Sequence, residues 1–596
     1  MTTPVASAKP AHVHPVRRVL ALYRPYRGRL ILSQVLLLFS ALATLGTAAL
    51  NAQLVNDGLL AGDTGVIVDT GIWMAVLGVT ASLLLAGTAV IAVFFSQGTA
   101  YVLRTQAYAS IQKYSFGNFD AMRTGNLLVR LNSDVINVAN AVLFGVMLLL
   151  YAPIMLVVSV GLASITAPGM VWILGVVTVV LLAIAVILIR PMERAYAQRQ
   201  KRLDEVNNSM QENLAGVRVV KAFGREQLEV DQFDQRTELL RQPARAAAFR
   251  VALLTPALNT VTQLGIAITL LIGGERVISG DGTTIGQVTA FTQYLSLVVV
   301  PLGLAALITP YLLRGVTSAA RVFEIIDTAP SLPEGGTTEL ATTGGAEIRF
   351  EGVCFGFKTA DDDTGDVLHD INLVIKPGQS LGILGATGSG KTALVNLIPR
   401  FYDPRAGRVL IDGVDVREVP LDQLRGMVGV ALQEAVLFQG DVRENVRFAE
   451  PNATDDRIKQ AAGASDAFGF VEALPQRWDA PVARRGYNFS GGQRQRLSMA
   501  RALVPRPRVL ILDDSTSALD VATETRVQAA IPQDVAGTTL IYVAQRISAV
   551  IDLDRIILLE HGRIADEGTH TELLARSDLY REIYQSQLGA IEEVSA

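Results

Sequence analysis

One cysteine, three tryptophans and five histidines are all that 596 residues contain of those types. Cys354 alone closes no internal disulfide, and its expected place is as a small packing residue in a strand. Charge is also scarce. Asp, Glu, Lys and Arg make up 18% of the chain, the formal net charge is -4, and blocks of like charge long enough to form a binding tail are missing. Nothing in this balance calls for a nucleic-acid partner. No secretory signal with a cleavage site precedes the first apolar run, and residues 1–16 read as a polar N-terminal tail. Apolar residues are what the chain has in excess: 50% of positions are hydrophobic and the mean hydropathy is +0.35, too apolar for an ordinary soluble enzyme and too long for one domain.

The apolar residues gather in six segments, at 30–51, 71–95, 141–163, 170–190, 251–273 and 287–309. Each reaches the roughly 20 residues that cross a hydrocarbon core of about 30 Å. Asp, Glu and Lys are missing from all six, and Arg190 stands only at the end of the fourth. Pro153, Pro256 and Pro301 fall inside, and membrane helices tolerate proline where neighbours satisfy the freed backbone. Six spanning helices are expected. Arg17, Arg18, Arg24, Arg27 and Arg29 crowd the entry to the first, whereas the next loop carries Asp57, Asp63 and Asp69 and no Lys or Arg, which predicts a cytoplasmic N-terminus. The stretches 96–140 and 191–250 then also lie inside. Both are long enough to carry helices well past the lipid, since 20 further residues reach about 30 Å.

From Thr328 to Glu347 the chain reads TAPSLPEGGTTELATTGGAE, and Pro, Gly and Thr replace helical periodicity. Beyond it, short β-rich runs alternate with helical ones: 347–357, 380–384, 408–411, 427–432, 508–512, 538–543 and 555–559. That alternation predicts a largely parallel α/β sheet. The expected division is a tail at 1–16, a helical membrane domain at 17–327, a linker at 328–346, an α/β domain at 347–588 and a tail at 589–596.

Leu381–Leu384 is a buried strand that feeds Gly385-Ala386-Thr387-Gly388-Ser389-Gly390-Lys391-Thr392, and a helix opens at Ala393. This is the phosphate-binding P-loop pattern in its required context, with glycines that let backbone N–H groups close round phosphate. Lys391 should reach the β- and γ-phosphates of ATP, and Thr392 should ligand Mg²⁺. Val509–Leu512 is an apolar strand ending in Asp513, a carboxylate suited to the same ion. Between them, Ser490-Gly491-Gly492-Gln493 opens a helix, a second end rich in free N–H groups.

With these motifs the chain resembles the ATP-binding cassette (ABC) family, and within it the six-helix exporter half-transporters. Phe489–Gln493 is similar to the family signature with Phe for Leu, and Ser517-Ala518-Leu519-Asp520 resembles its D-loop. The resemblance implies that Gln433 contacts Mg²⁺ and the membrane domain, that Phe357 stacks on adenine, and that Asp520 serves the dimer. It extends to the membrane half, where 124–134 and 212–223 look like the family's cytoplasmic-loop sequences. The implied fold is a six-helix transmembrane domain with long cytoplasmic extensions, followed by a P-loop NTPase cassette with a helical signature subdomain. Two such cassettes pair head to tail, each ATP lying between one P-loop and the partner's signature.

Four departures from the family pattern bear on activity. Asp514 stands where the family has the glutamate that polarises attacking water, and it is one methylene shorter. Gln545 replaces the switch histidine and carries no titratable proton. Phe489 changes the signature but leaves Ser490, Gly491 and Gly492, and Arg484 replaces a glutamate in the loop that touches the opposite membrane domain. The resemblance therefore implies a heterodimer with a second, non-identical half-transporter, in which this chain's own catalytic positions, Asp514 and Gln545, are degenerate while its signature completes the partner's site. An amphipathic or lipid-like small molecule is the expected substrate, and the bacterial cytoplasmic membrane the expected location. Gln97, Asn140, Asn259, Gln263, Gln287, Gln293 and Tyr294 provide either polar contacts in a cavity or bonds between helices. Uptake on the exporter scaffold and a slow regulatory homodimer are the alternatives.

Overall fold

The computed structural model describes residues 14–122, 124–333, 335–341, 343–357 and 365–589. The chain divides into two compact units, Met1–Gln112 with Gly125–Thr328, and Lys113–Thr124 with Ala329–Ala596. The second unit thus claims a short piece of chain from within the stretch 17–327 expected as one membrane domain. The expected tails lie largely outside the described residues, although the first helix, Pro15–Ala21, already begins within 1–16.

The first unit is helical. After Pro15–Ala21, with proline at its first position, come Arg27–Gln53 and Thr64–Gln112. A broken helical run then passes from Thr124–Val129 through Val135–Phe144 to Tyr151–Thr166, with π-turns at Arg130–Asp134 and Gly145–Leu149. Val171–Ala215, Glu226–Ser279 and Ile285–Asp327 complete it. Among the described residues, four helical stretches are long and apolar enough to cross a membrane: Arg24–Leu59, Thr64–Gln112, Thr124–Thr166 and Glu226–Ser279. Pro168–Ile184 and Ile285–Pro301 are apolar but shorter. The segment expected as one helix at 141–163 is interrupted by the second π-turn, just before Pro153.

Small residues let these helices approach closely, as expected where packing rather than water drives association. A Cβ on Gly265 would lie 2.7 Å from Val177, and one on Gly315 would lie 2.2 Å from the Cβ of Ala141. One buried carboxylate is paired between elements. Asp134, 2% exposed, accepts from Arg321 Nε at 2.7 Å and from Ser318 Oγ at 2.7 Å. Of the uncharged polar residues expected in the membrane half, Gln287 closes a capping box with Thr284, and fully buried Tyr294 meets Thr166 Oγ1 at 3.3 Å. The first shapes a helix end and the second joins two helices.

Among its described residues the second unit holds twelve strands: β1 Ile348–Phe355, β2 Leu368–Ile375, β3 Ser380–Leu384, β4 Ala406–Ile411, β5 Val414–Asp415, β6 Val428–Ala431, β7 Gly440–Asp441, β8 Pro481–Val482, β9 Val509–Asp513, β10 Thr539–Ala544, β11 Arg555–Glu560 and β12 Arg563–Gly568. One sheet has the order β2-β1-β4-β5 and is antiparallel. The second has the order β12-β11-β3-β10-β9-β6, parallel except for β12. Its inner strands β9 and β10 are buried throughout, as befits strands covered on both faces. Because β3, β10 and β9 are neighbours and parallel, their carboxyl ends open side by side, where ligands of such sheets bind.

Candidate functional site

The loop after β3 is shaped by what its glycines avoid. A Cβ on Gly385 would sit 2.3 Å from the carbonyl oxygen of Leu559, and Gly388 and Gly390 have φ of +86° and +100°, which L side chains rarely adopt. The loop leads into the helix Lys391–Asn396. Lys391 is 8% exposed, and its Nζ donates to the carbonyls of Gly385 at 2.7 Å and Ala386 at 2.9 Å. Burial holds this ammonium below its ordinary pKa, with Asp514 and Asp513 pulling the other way. The hydroxyl of Ser389 is buried with no hydrogen-bond partner among the described residues. A buried cation bonded only to carbonyls and an orphaned donor on a glycine-lined loop fit a phosphate group. A cavity of about 480 Å³ lies along the loop, lined by Gly385 to Ser389, Gln545, His561 and Ile583 among others.

Asp513 ends β9 and is 2% exposed; Thr392 Oγ1 donates to its Oδ1 at 3.2 Å. Burial raises its pKa, the Thr392 hydrogen bond opposes this, and the neighbouring Asp514 charge adds to it. Thr392 and Asp513 are hard oxygen donors at the loop's end, so they fit Mg²⁺ shared with nucleotide phosphates and would hold it there. The ion would supply charge neutralisation at the phosphates.

Asp514 follows in a left-handed turn, φ 47°, fastened by its N–H to the Val543 carbonyl at 2.9 Å. Aspartate is one of the few side chains enriched in that conformation. The turn places its Oδ2 at 3.4 Å from both Gln433 Nε2 and Gln545 Nε2. Burial raises its pKa, and Lys391, Gln433 and Arg546 oppose the rise. Lys391, Thr392, Gln433, Asp513, Asp514 and Gln545, drawn from four separate parts of the chain, are thereby brought to one end of the parallel sheet.

The signature residues form a separate feature. Ser490 caps the helix Gly491–Leu503, its Oγ accepting from Gln493 N at 3.2 Å while Gln493 Oε1 accepts from Ser490 N at 2.9 Å. Among the described residues no hydrogen bond joins Ser490, Gly491 or Gly492 to the P-loop. Phe489 is 6% exposed and packs edge to face with Phe470, centroids 6.5 Å apart, so the aromatic is a core residue in this setting. Asp520 caps the helix Val521–Asp534 through Thr523 N at 3.0 Å. Phe357 stands between two aromatic edges, Phe355 at 5.0 Å and Tyr402 at 5.4 Å. Arg484 is exposed, beside Arg485 at φ 57°.

Sequence reasoning missed three elements of this unit. Gln587 grips the segment after β10 from both sides, Nε2 donating to the Gln545 carbonyl at 2.9 Å and Oε1 accepting from Ile547 N at 2.8 Å. Gln495 ties the signature helix to the D-loop, through Ser517 Oγ at 3.1 Å and Ala518 N at 3.0 Å. The helix Phe116–Ala121, set by a Ser115/Asn118 capping box, stacks Phe116 on Phe401 at 4.4 Å and offers Asp120 to the Tyr402 hydroxyl at 2.8 Å. Only the last left a sequence signal, in the spacing of Ser115 and Asn118, each followed by a phenylalanine.

Comparison with known proteins agrees with this arrangement. Residues 30–302 match the family model described as the ABC transporter transmembrane region, and 368–517 match that described as ABC transporter. An uncharacterised ABC transporter ATP-binding protein of Bacillus subtilis, YfiB, is 33% identical over 577 residues, covering 96% of this chain and 99% of that one. The chain belongs to the ABC transporter family. A second uncharacterised relative, Rv1273c of Mycobacterium tuberculosis, is 35% identical over 571 residues, 95% of this chain and 97% of that protein. Among solved structures, a bacterial Atm1-family ABC exporter with ATP bound superposes with a TM-score of 0.78 over 94% of this chain and 98% of the other, at 24% identity. The fold is thus that of an ABC exporter, a helical transmembrane region followed by an ATPase cassette.

Proposed function

We propose that this ABC transporter subunit is one half of a heterodimeric, ATP-driven exporter of amphipathic or lipid-like small molecules, and that its own nucleotide site binds ATP but cleaves it slowly. The observation that carries the reading is the pairing of Asp514 with Gln545 where a glutamate and a histidine serve hydrolysis in the family. A general base must come within about 2.6–3.2 Å of its proton, and its loss typically lowers the rate on the order of 10²–10⁴-fold. Asp514 is short for that task and bonded at 3.4 Å to two amides. Gln545 orients but cannot exchange a proton.

The remaining roles follow from the residues. Lys391 and the loop amides neutralise and hold the phosphates, Thr392, Gln433 and Asp513 position Mg²⁺, and Phe357 offers a ring to adenine. Ser490 to Gln493, preorganised by their capping box, face the γ-phosphate of a nucleotide on a non-identical partner, and Asp520 holds the adjoining D-loop turn. Six helices cross the membrane in this reading, with the N-terminus and the cassette on the cytoplasmic side of a bacterial membrane. A lipid-like cargo is supported by the uncharged interior of the apolar segments and by a relative 31% identical over 96% of this chain, the ATP-dependent lipid A-core flippase of Syntrophus aciditrophicus.

The full-length chain, reconstituted alone in nanodiscs, is expected to bind ATP and turn it over slowly. Fast turnover by the chain alone would sink the proposal, as would loss of transport in the two-subunit complex on Asp514→Ala.

A further inference from the structure

The first unit contains a cavity that the nucleotide chemistry does not use. It measures about 460 Å³ and is roofed by the first helix, with Val19, Leu20, Leu30, Val142, Val146 and Val316 in its wall. Among the described residues Gln34 and Tyr23 are its only side chains with polar atoms; Gln34 Nε2 is bonded to the Val146 carbonyl at 3.2 Å, and its buried Oε1 has no partner there. The roof is fastened at both ends, so the space is built in. At one end the Arg18 guanidinium lies 3.9 Å over the Phe323 ring and pairs with Asp327 at 2.8 Å. At the other the Tyr23 ring meets Phe95 at 5.0 Å, and its hydroxyl bonds Thr99. An apolar space of this size forfeits dispersion contacts unless something apolar fills it.

Two further observations say what fills it. A second, open apolar groove of about 420 Å³ shares Leu30 and Gln34 with the cavity and continues past Val35, Leu38 and Ile154 to Ile31, which is 63% exposed. The cavity thus shares part of its wall, Leu30 and Gln34, with a groove on the face a hydrocarbon chain would approach. The same end of the unit is strongly basic: no acidic residue precedes Asp57, and Arg17, Arg24, Arg27 and Arg29 are exposed with no ion pair among the described residues. Arg27 stands one helical turn before Leu30 and Ile31, on the same face. A cluster of arginines beside a membrane helix attracts anionic lipid headgroups.

We propose that this cavity is a binding site for an anionic phospholipid, with one acyl chain in the space beneath the first helix and the phosphate held by Arg24 and Arg27. The site is independent of the heterodimer reading, because it is made by one chain and its test reads binding alone. The full-length chain in phosphatidylcholine nanodiscs is doped with a trace of phosphatidylglycerol carrying a diazirine on its acyl chain, or with phosphatidylcholine carrying the same chain, and cross-linked positions are mapped by mass spectrometry. Phosphatidylglycerol is expected to label 30–38 and 138–150 at least about fivefold more than phosphatidylcholine, the ratio one well-placed arginine gives. The double variant Arg24→Gln, Arg27→Gln should bring that ratio close to one, and Val142→Trp, which fills the cavity, should cut labelling by both lipids. Equal labelling of the wild type by the two lipids overturns the proposal without reference to any variant. Labelling confined to outward residues such as Leu83 and Val90, with 138–150 untouched, overturns it as well.

Discussion

Converting Asp514→Glu together with Gln545→His should turn a slow site into a working one, and the gain can be sized from the geometry. The wild-type carboxylate ends 3.4 Å from its two amide neighbours, beyond the usual 2.7–3.2 Å of an N–H···O bond. One methylene extends the side chain by roughly 1.5 Å, about one carbon–carbon bond, enough to bring a base into the 2.6–3.2 Å window. General-base catalysis then contributes about 10²–10⁴-fold, or roughly 3–5 kcal/mol at 1.36 kcal/mol per decade. Against this stands the backbone: position 514 has φ 47°, which aspartate tolerates better than glutamate. The left-handed conformation costs on the order of 1–2 kcal/mol for an ordinary side chain, so the variant should melt a few degrees lower while cleaving faster. The assay is steady-state phosphate release from the full-length chain in nanodiscs, with a melting curve on the same sample. A turnover unchanged from wild type, in a variant that still binds ATP, would refute the reasoning that these two side chains limit the site.

Other expectations follow from contacts elsewhere in the cassette. Lys391→Met removes the only side-chain cation on the loop and should abolish ATP binding, read as loss of the nucleotide-induced rise in melting temperature. Arg508, 6% exposed, donates to the carbonyls of Ala341, Gly344 and Gly345 at 2.8 to 3.1 Å and pairs with Asp412 at 2.8 Å. Arg508→Lys replaces three nitrogens spread over a planar fork by one, which cannot reach positions served separately by Nε, Nη1 and Nη2, and should cost about 2–3 kcal/mol in denaturant unfolding. Asp466 sits at φ 56° between Arg526 and Arg496, which hold its carboxyl below the usual range, the Arg526 bond first. Asparagine keeps the backbone preference, so Asp466→Asn isolates the charge and should cost about 1 kcal/mol at pH 7 for so solvent-shared a pair. Because the folded pKa is depressed, that stability is present above the unfolded value of about 3.9 and is lost as pH falls through the folded one; the two proteins should converge in acid.

The parts of the cassette that were legible in the sequence are those where one local signal suffices. The P-loop announces itself by glycines between an apolar strand and a helix, and β9 by an unbroken apolar run. Strands β2 and β12 escaped for opposite reasons. In β2 the alternation slips, because Asp370 adopts φ 51° and a bulge separates Leu368 from Ile371. In β12, RIADEG, no residue is buried, so an edge strand held by backbone bonds to β11 carries no hydrophobic pattern. The left-handed turn at Asp514 and the grip of Gln587 on Gln545, 42 positions apart, depend on tertiary placement that no window of sequence contains. Phe489, a departure in the motif, proved to be an ordinary buried side chain once Phe470 was in place. In the helical unit the apolar runs were plain, whereas the π-turn at Gly145–Leu149 that breaks 141–163 was not, since it has no signature in composition.

The central claim is that the nucleotide on this chain's P-loop outlasts the one on the partner's. The direct measurement is a single-turnover experiment on the reconstituted two-subunit complex, loaded with radiolabelled ATP and quenched over time. The account predicts two phases, with about half of the bound ATP cleaved quickly and the rest retained at least on the order of 10²-fold longer, and predicts that Lys391→Met in this chain removes only the slow phase. A single phase consuming both nucleotides at one rate would contradict it.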